Sequence, residues 1–126
     1  EQLRPIIDQL HQLGIRVSLF MDPDLAQIEL AKEIGADRIE LYTGPYAAAW
    51  GSDQQESLFQ QHLAAAELST RLGMGVNAGH DLNLHNLGKF ASIPSLLEVS
   101  IGHAFTVDSL TLGMAKTVHS YKALLG

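Results

Sequence analysis

The chain has 126 residues, 46% of them hydrophobic, enough to bury one core in a single domain spanning 1–126. A formal net charge of -6 argues against nucleic acid held by bulk electrostatics, and the absence of cysteine removes disulfides and thiolate metal sites. The absence of cysteine also agrees with a reducing cytoplasm, the expected location; no apolar run approaches the roughly 20 residues of a membrane span, no signal peptide opens the chain, and no membrane contact is expected.

The chain parses as helix then strand, four times over. Residues 2–13 place Leu3, Ile6, Ile7, Leu10 and Leu13 at helical spacing, and Gly14 stops them. Glu1 opens on what reads as mid-helix, so the chain is expected to be part of something longer. Ile15–Met21 reads as a strand, Asp22-Pro23-Asp24 as a turn with N-cap oxygens, and Leu25 to Ile34 as a helix ending at Gly35. Arg38–Tyr42 is the second strand. A loop from Thr43 to about Ser52 leads to a helix over Asp53–Leu72, capped by Gly73, and a strand at Met74–Ala78. A short helix over Leu84–Ala91, a strand at Leu97–Ile101 and one last helix over Val107–Leu124 complete the reading.

Strands alternating with helices imply a parallel α/β sheet, either doubly wound or a barrel. Side chains switch face at every strand residue. One face carries Val17, Leu19, Met21, Ile39, Leu41, Val76, Ala78, Val99 and Ile101, all apolar. The other carries Ser18, Phe20, Asp22, Arg38, Glu40, Tyr42, Gly75, Asn77, Glu98 and Ser100, with polar residues in all four strands. A doubly wound sheet needs apolar faces on both sides. One helix-covered and one polar face fit a barrel wall, and a closed barrel needs about eight strands in roughly 250 residues. The expectation is the last four βα units of a (β/α)8, TIM-barrel type fold.

Two of these strands end in Gly-His: Gly79-His80 and Gly102-His103. The strand C-terminal edge is where α/β enzymes collect ligands, and each glycine is expected to let the chain turn sharply there. His80 follows its strand directly and suits acid/base work near neutral pH, against the plainer reading of a solvated loop histidine. Gly102-His103 leads into the last helix, with Thr106 or Asp108 as possible caps, and suits a phosphate. Glu40 reads either as a structural ion pair with Arg38 or as a lumen carboxylate, and its lumen position favours the second. A metal pair of His80 and His103 with Asp22 or Glu40 is a weaker reading, because no local ligand motif accompanies it. Asp22 and Asp24 read as helix caps, and His11, His62, His85 and His119 as surface residues. Tyr46 and Trp50 either close over a substrate or pack the loop down.

Ile15–Asp22 (IRVSLFMD), Ile39–Gly44 (IELYTG), Val76–Leu82 (VNAGHDL) and Val99–Ala104 (VSIGHA) resemble, in order and spacing, the pyridoxine 5′-phosphate synthase family of vitamin B6 biosynthesis. The resemblance covers essentially the whole chain and the C-terminal half of the family's length. It implies a (β/α)8 barrel that condenses 1-deoxy-D-xylulose 5-phosphate with 3-amino-2-oxopropyl phosphate, releasing phosphate and water. It further implies His80 as proton donor, Glu40 as transition-state stabiliser, and Asp81, Gly102 and His103 as contacts of the aminoketone phosphate. Some members carry glycine where Asp81 stands. No metal or organic cofactor is implied. The partners expected are small phosphorylated substrates and, in the whole protein, copies of itself in a homo-oligomer. The family's other catalytic histidine and glutamate and its phosphate-binding arginines precede this segment, so the chain alone is expected to be inactive. The competing readings are another barrel enzyme acting on a sugar phosphate, an epimerase, isomerase or lyase, and a half-barrel that only binds or assembles.

Overall fold

The computed structural model describes residues 2–126, so the mid-helix reading of Glu1 lies outside the described residues. Eleven elements follow in order: α1 (Arg4–Gln12), β1 (Ser18–Met21), α2 (Leu25–Glu33), β2 (Arg38–Tyr42), α3 (Gly44–Ala48), α4 (Gln55–Arg71), β3 (Gly75–Gly79), α5 (Leu87–Phe90), β4 (Leu96–Ser100), α6 (His103–Leu112) and α7 (Met114–Leu125). The strands form one sheet in the order β1-β2-β3-β4, every pairing parallel. A doubly wound sheet reverses its strand order at a switch point, and this one does not. Right-handed crossovers in unbroken order put all connecting helices on one face. The fold is a parallel α/β sheet with the topology of half a (β/α)8 barrel.

The apolar face behaves as its alternation predicts. Ile39, Leu41, Val76 and Ala78 are buried beneath Ile28 and Ala31 of α2 and Phe59, Ala65 and Ala66 of α4. The second face is half-open: Arg38, Glu40, Tyr42, Gly75 and Asn77 are all partly exposed. Asp24 caps α2 by accepting from the N–H groups of Ala26 (2.9 Å) and Gln27 (3.2 Å). Gly35 and Gly73 end α2 and α4 in the left-handed conformation their position requires.

Several boundaries move, each for a local reason. Strand β1 starts at Ser18 rather than Ile15, because Val17 is tied to a turn: its N–H donates to Asp37 Oδ2 (2.7 Å) and its carbonyl accepts from the Asp37 and Arg38 N–H groups. The expected loop over 43–52 contains α3, in which Tyr46 is fully buried and donates to the Asn86 carbonyl (2.8 Å). Burial holds the Tyr46 hydroxyl well above the usual tyrosine range, aided by the charge of Glu56. Tyr46 packs the segment down, with Trp50 edge-on to its ring at 5.8 Å. The single last helix is two, broken at Gly113 with φ 84° and ψ 143°, a conformation that side chains disfavour. Leu97 is an extra residue between the Val76↔Leu96 and Asn77↔Glu98 pairs, a bulge in β4.

His62 corrects the reading of the helix histidines as surface groups. It is fully buried, with Nδ1 2.7 Å from the Leu58 carbonyl oxygen and Nε2 2.9 Å from that of Tyr42. His11 is half-exposed and meets Asp37 at 2.9 Å. The Val17 N–H, then His11, hold the Asp37 carboxyl below the ordinary carboxylate range. A lowered folded-state value means the contribution is fully present above the ordinary carboxylate range and fades as pH falls through that lowered value. Asp37→Asn is therefore expected to cost about 1 kcal/mol or less at pH 7, after solvent screening. Urea unfolding across pH 2–7 checks this: the gap from the parent protein should close at the acid end.

Candidate functional site

The C-terminal ends of the strands form an open cleft of about 600 Å³ lined by Phe20, Glu40, His80, Asp81, Ser100, Ile101, Gly102 and His103. Glu40, His80, Asp81, Gly102 and His103, the five residues expected at a site, all lie in it. Register explains the gathering. Phe20, Glu40, Asn77 and Glu98 form one row across the sheet, and Tyr42, Gly79 and Ser100 form the next, nearer the rim.

Glu40 is half-buried and forms no ion pair or hydrogen bond with protein groups among the described residues. The expected structural alternative, a pair with Arg38, is overturned: Arg38 pairs with Glu98 and donates to Asn77 Oδ1 (3.1 Å). Gly75 makes this possible, since a Cβ there would lie 2.9 Å from both Arg38 Cγ and Leu97 Cδ1. The guanidinium reaches across β3 to β4, which leaves the Glu40 carboxylate in the cleft.

The Gly-His turns differ from expectation in which residue does the turning. Neither Gly79 nor Gly102 has positive φ; His80 (φ 95°) and Asp81 (φ 59°) do. Gly79 is required by space, because a Cβ would lie 2.5 Å from Glu40 Oε1 and 2.9 Å from Ser100 Cβ. Gly102 has nothing within 4 Å of such an atom. The His80 ring stands edge-on to Tyr42 with centroids 5.0 Å apart, and 6.5 Å from Phe20. Its Nε2 lies 3.8 Å from Asp81 Oδ2, with both side chains more than half exposed.

Gly102 is the N-cap of α6 and His103 its first residue, so the helix begins four residues ahead of the expected Val107. Thr106 and Asp108 lie inside it and do not cap it: Thr106 Oγ1 donates back to the Gly102 carbonyl (3.3 Å), and Asp108 accepts from the Tyr121 hydroxyl (2.7 Å). The N–H groups of a helix's first turn lack intrahelical acceptors, and here they open beside the cleft. Among the described residues, no three His, Cys, Asp or Glu side chains converge as metal ligands do, and no helix is long and apolar enough to cross a membrane. Phe20 and Ser100 line the cleft from the face on which alternation puts them, beside Glu40 and Gly79, although neither was expected as a site residue; Ile101, expected on the opposite apolar face, also lines it.

These features define a class: a half-barrel of parallel βα units with an open cleft at the C-terminal ends of its strands. A family model described as pyridoxal phosphate biosynthesis protein PdxJ matches residues 1–126, and the chain belongs to that family. Similar proteins include the pyridoxine 5′-phosphate synthase of Albidiferax ferrireducens, 53% identical over 121 residues, covering 95% of this chain and 48% of that protein. Those of Parabacteroides distasonis and Porphyromonas gingivalis are 49% and 48% identical, covering 99% and 97% of this chain and 52% and 51% of their own lengths. The chain thus spans about half the length of the curated relatives it matches.

Proposed function

We propose that this chain supplies the C-terminal half of a pyridoxine 5′-phosphate synthase active site, condensing 1-deoxy-D-xylulose 5-phosphate with 3-amino-2-oxopropyl phosphate. The observation that carries the reading is the single cleft holding Glu40, His80, Asp81, Gly102 and His103 together. Imine formation, dehydration and ring closure each move protons near neutral pH, which an imidazole at the rim and a carboxylate below it can do. His80 serves as proton donor. Glu40, left unpaired by the Arg38–Glu98 bridge, stabilises positive charge as it develops on the reacting nitrogen. Gly102 and His103 hold the aminoketone phosphate against the first turn of α6, where backbone N–H groups bind an anion without net positive charge. Asp81 contributes through its backbone N–H, since a carboxylate would repel the phosphate.

In the whole protein we assign the sheet's two open edges, β1 and β4, to contacts with the missing half of the barrel. Assembly as a homo-oligomer in the cytoplasm belongs to the same reading. The full-length protein, given both substrates, is expected to release phosphate and form pyridoxine 5′-phosphate, with product followed by mass spectrometry. The isolated chain is expected to show no turnover. Absence of product from the full-length protein overturns the assignment, and substantial turnover by the isolated chain overturns the half-site.

A further inference from the structure

Thr43 stands at the N-cap position of α3, where a threonine normally turns its hydroxyl onto its own helix. Here it does not: no side-chain cap bond forms, and Oγ1 donates instead to the carbonyl of His80, far away in sequence. The Thr43 N–H donates to the Gly79 carbonyl (3.0 Å), so one fully buried residue binds the carbonyls of both Gly79 and His80. Between those two carbonyls lies the φ of His80, at 95°. That conformation is costly in a residue with a side chain and persists only where its surroundings over-determine it.

The neighbours of Thr43 complete the restraint. A Cβ on Gly44 would fall 2.4 Å from the Tyr42 hydroxyl oxygen and 2.5–2.6 Å from its ring carbons, so glycine lets that side chain fold back over the chain. The same ring stands edge-on to His80. Tyr42 is in turn anchored through its carbonyl by His62 Nε2.

We propose that Thr43 is a positioning residue for the reaction: its hydroxyl and N–H clamp the His80 backbone in the left-handed conformation that aims the imidazole into the cleft against Tyr42. This rests on the role given to His80 above. Thr43 touches no reacting atom, and it acts through the direction of another side chain.

The test uses the full-length protein with Thr43→Val, nearly isosteric but without the hydroxyl, and Thr43→Ser, which restores it. With the clamp in place, Thr43→Val should lower kcat about ten-fold or more with KM changed less than about two-fold, the signature of lost orientation. It should also shift the His80 ring resonances in histidine-labelled NMR spectra, and Thr43→Ser should return both readouts toward the parent. A Thr43→Val protein with unchanged kcat and unchanged His80 resonances overturns the proposal. Should Thr43→Val fail to fold, the parent protein decides. A slowly exchanging Thr43 hydroxyl proton close to the Asp81 amide supports the clamp, and its absence overturns it. A parent protein that shows the clamp by NMR but lacks synthase activity overturns the functional reading alone.

Discussion

Replacing His80 by glycine is expected to make the protein more stable and nearly inactive at once. His80 sits at φ 95°, a region in which glycine is at ease and histidine is not. Relief of about 1–3 kcal/mol of strain is offset by about 0.5–1 kcal/mol for glycine's greater freedom in the unfolded chain. Loss of the edge-on contact with Tyr42 removes about 0.5 kcal/mol more, the low end for a ring pair because the His80 side chain is more than half exposed, leaving a gain of about 0.5–1 kcal/mol. The same change deletes the group proposed as general acid, for which losses of about 10² to 10⁴ in rate are typical. Urea unfolding and substrate turnover on the same full-length preparation measure both effects. A less stable His80→Gly protein would show that the turn is not strained; retained activity would remove His80 from the chemistry.

The largest effect on stability is expected at His62, where His62→Ala should cost about 3–5 kcal/mol. The ring is fully buried, edge-on to Phe90 at 5.4 Å and to Tyr46 at 6.1 Å. Truncation opens a cavity between those aromatics, worth about 2 kcal/mol or more. It also leaves the Tyr42 carbonyl without its imidazole partner, at about 1–3 kcal/mol. His119→Ala, on the exposed side of α7, is the control and should change stability by about 0.5 kcal/mol or less. Equal unfolding midpoints for the two variants would refute the anchor.

His62 also shows where sequence reading had the information and did not use it. Phe59, His62, Ala66 and Ser69 recur at spacings of three and four along α4 and are all buried, so position 62 lies on the core stripe. Its polar ring argued for the surface, yet a buried imidazole is acceptable once a partner satisfies it, and that partner, Tyr42, is remote in sequence. The sheet itself was legible, because a period of two needs no knowledge of neighbours. Apolar and polar faces separate as expected in β2 and β3, where Ile39, Leu41, Val76 and Ala78 are buried, whereas Ile101, expected on the apolar face, also lines the cleft that the five expected site residues share.

What resisted reading depends on which strand lies beside which. Arg38 has a carboxylate two residues away on its own strand, and only the lateral order of β2, β3 and β4, with the gap at Gly75, directs it to Glu98. The glycine of Gly79-His80 looked like the flexible point, whereas the structure uses it for clearance and places the backbone strain on the histidine. The start of α6 carries no side-chain cap, so nothing in the sequence marks His103 as its first residue.

The strand order has a kinetic consequence. Each strand pairs with its predecessor in sequence, so every ladder can close as soon as the next βα unit has been synthesised. The β1–β2 and β3–β4 ladders each enclose one short connection, while β2–β3 must close across both α3 and the long α4. Loop-closure entropy grows with length, which favours two early ribbons and a later join between them. Glu40 lies on one ribbon and the two Gly-His turns on the other, so the cleft exists only once the β2–β3 ladder has joined them.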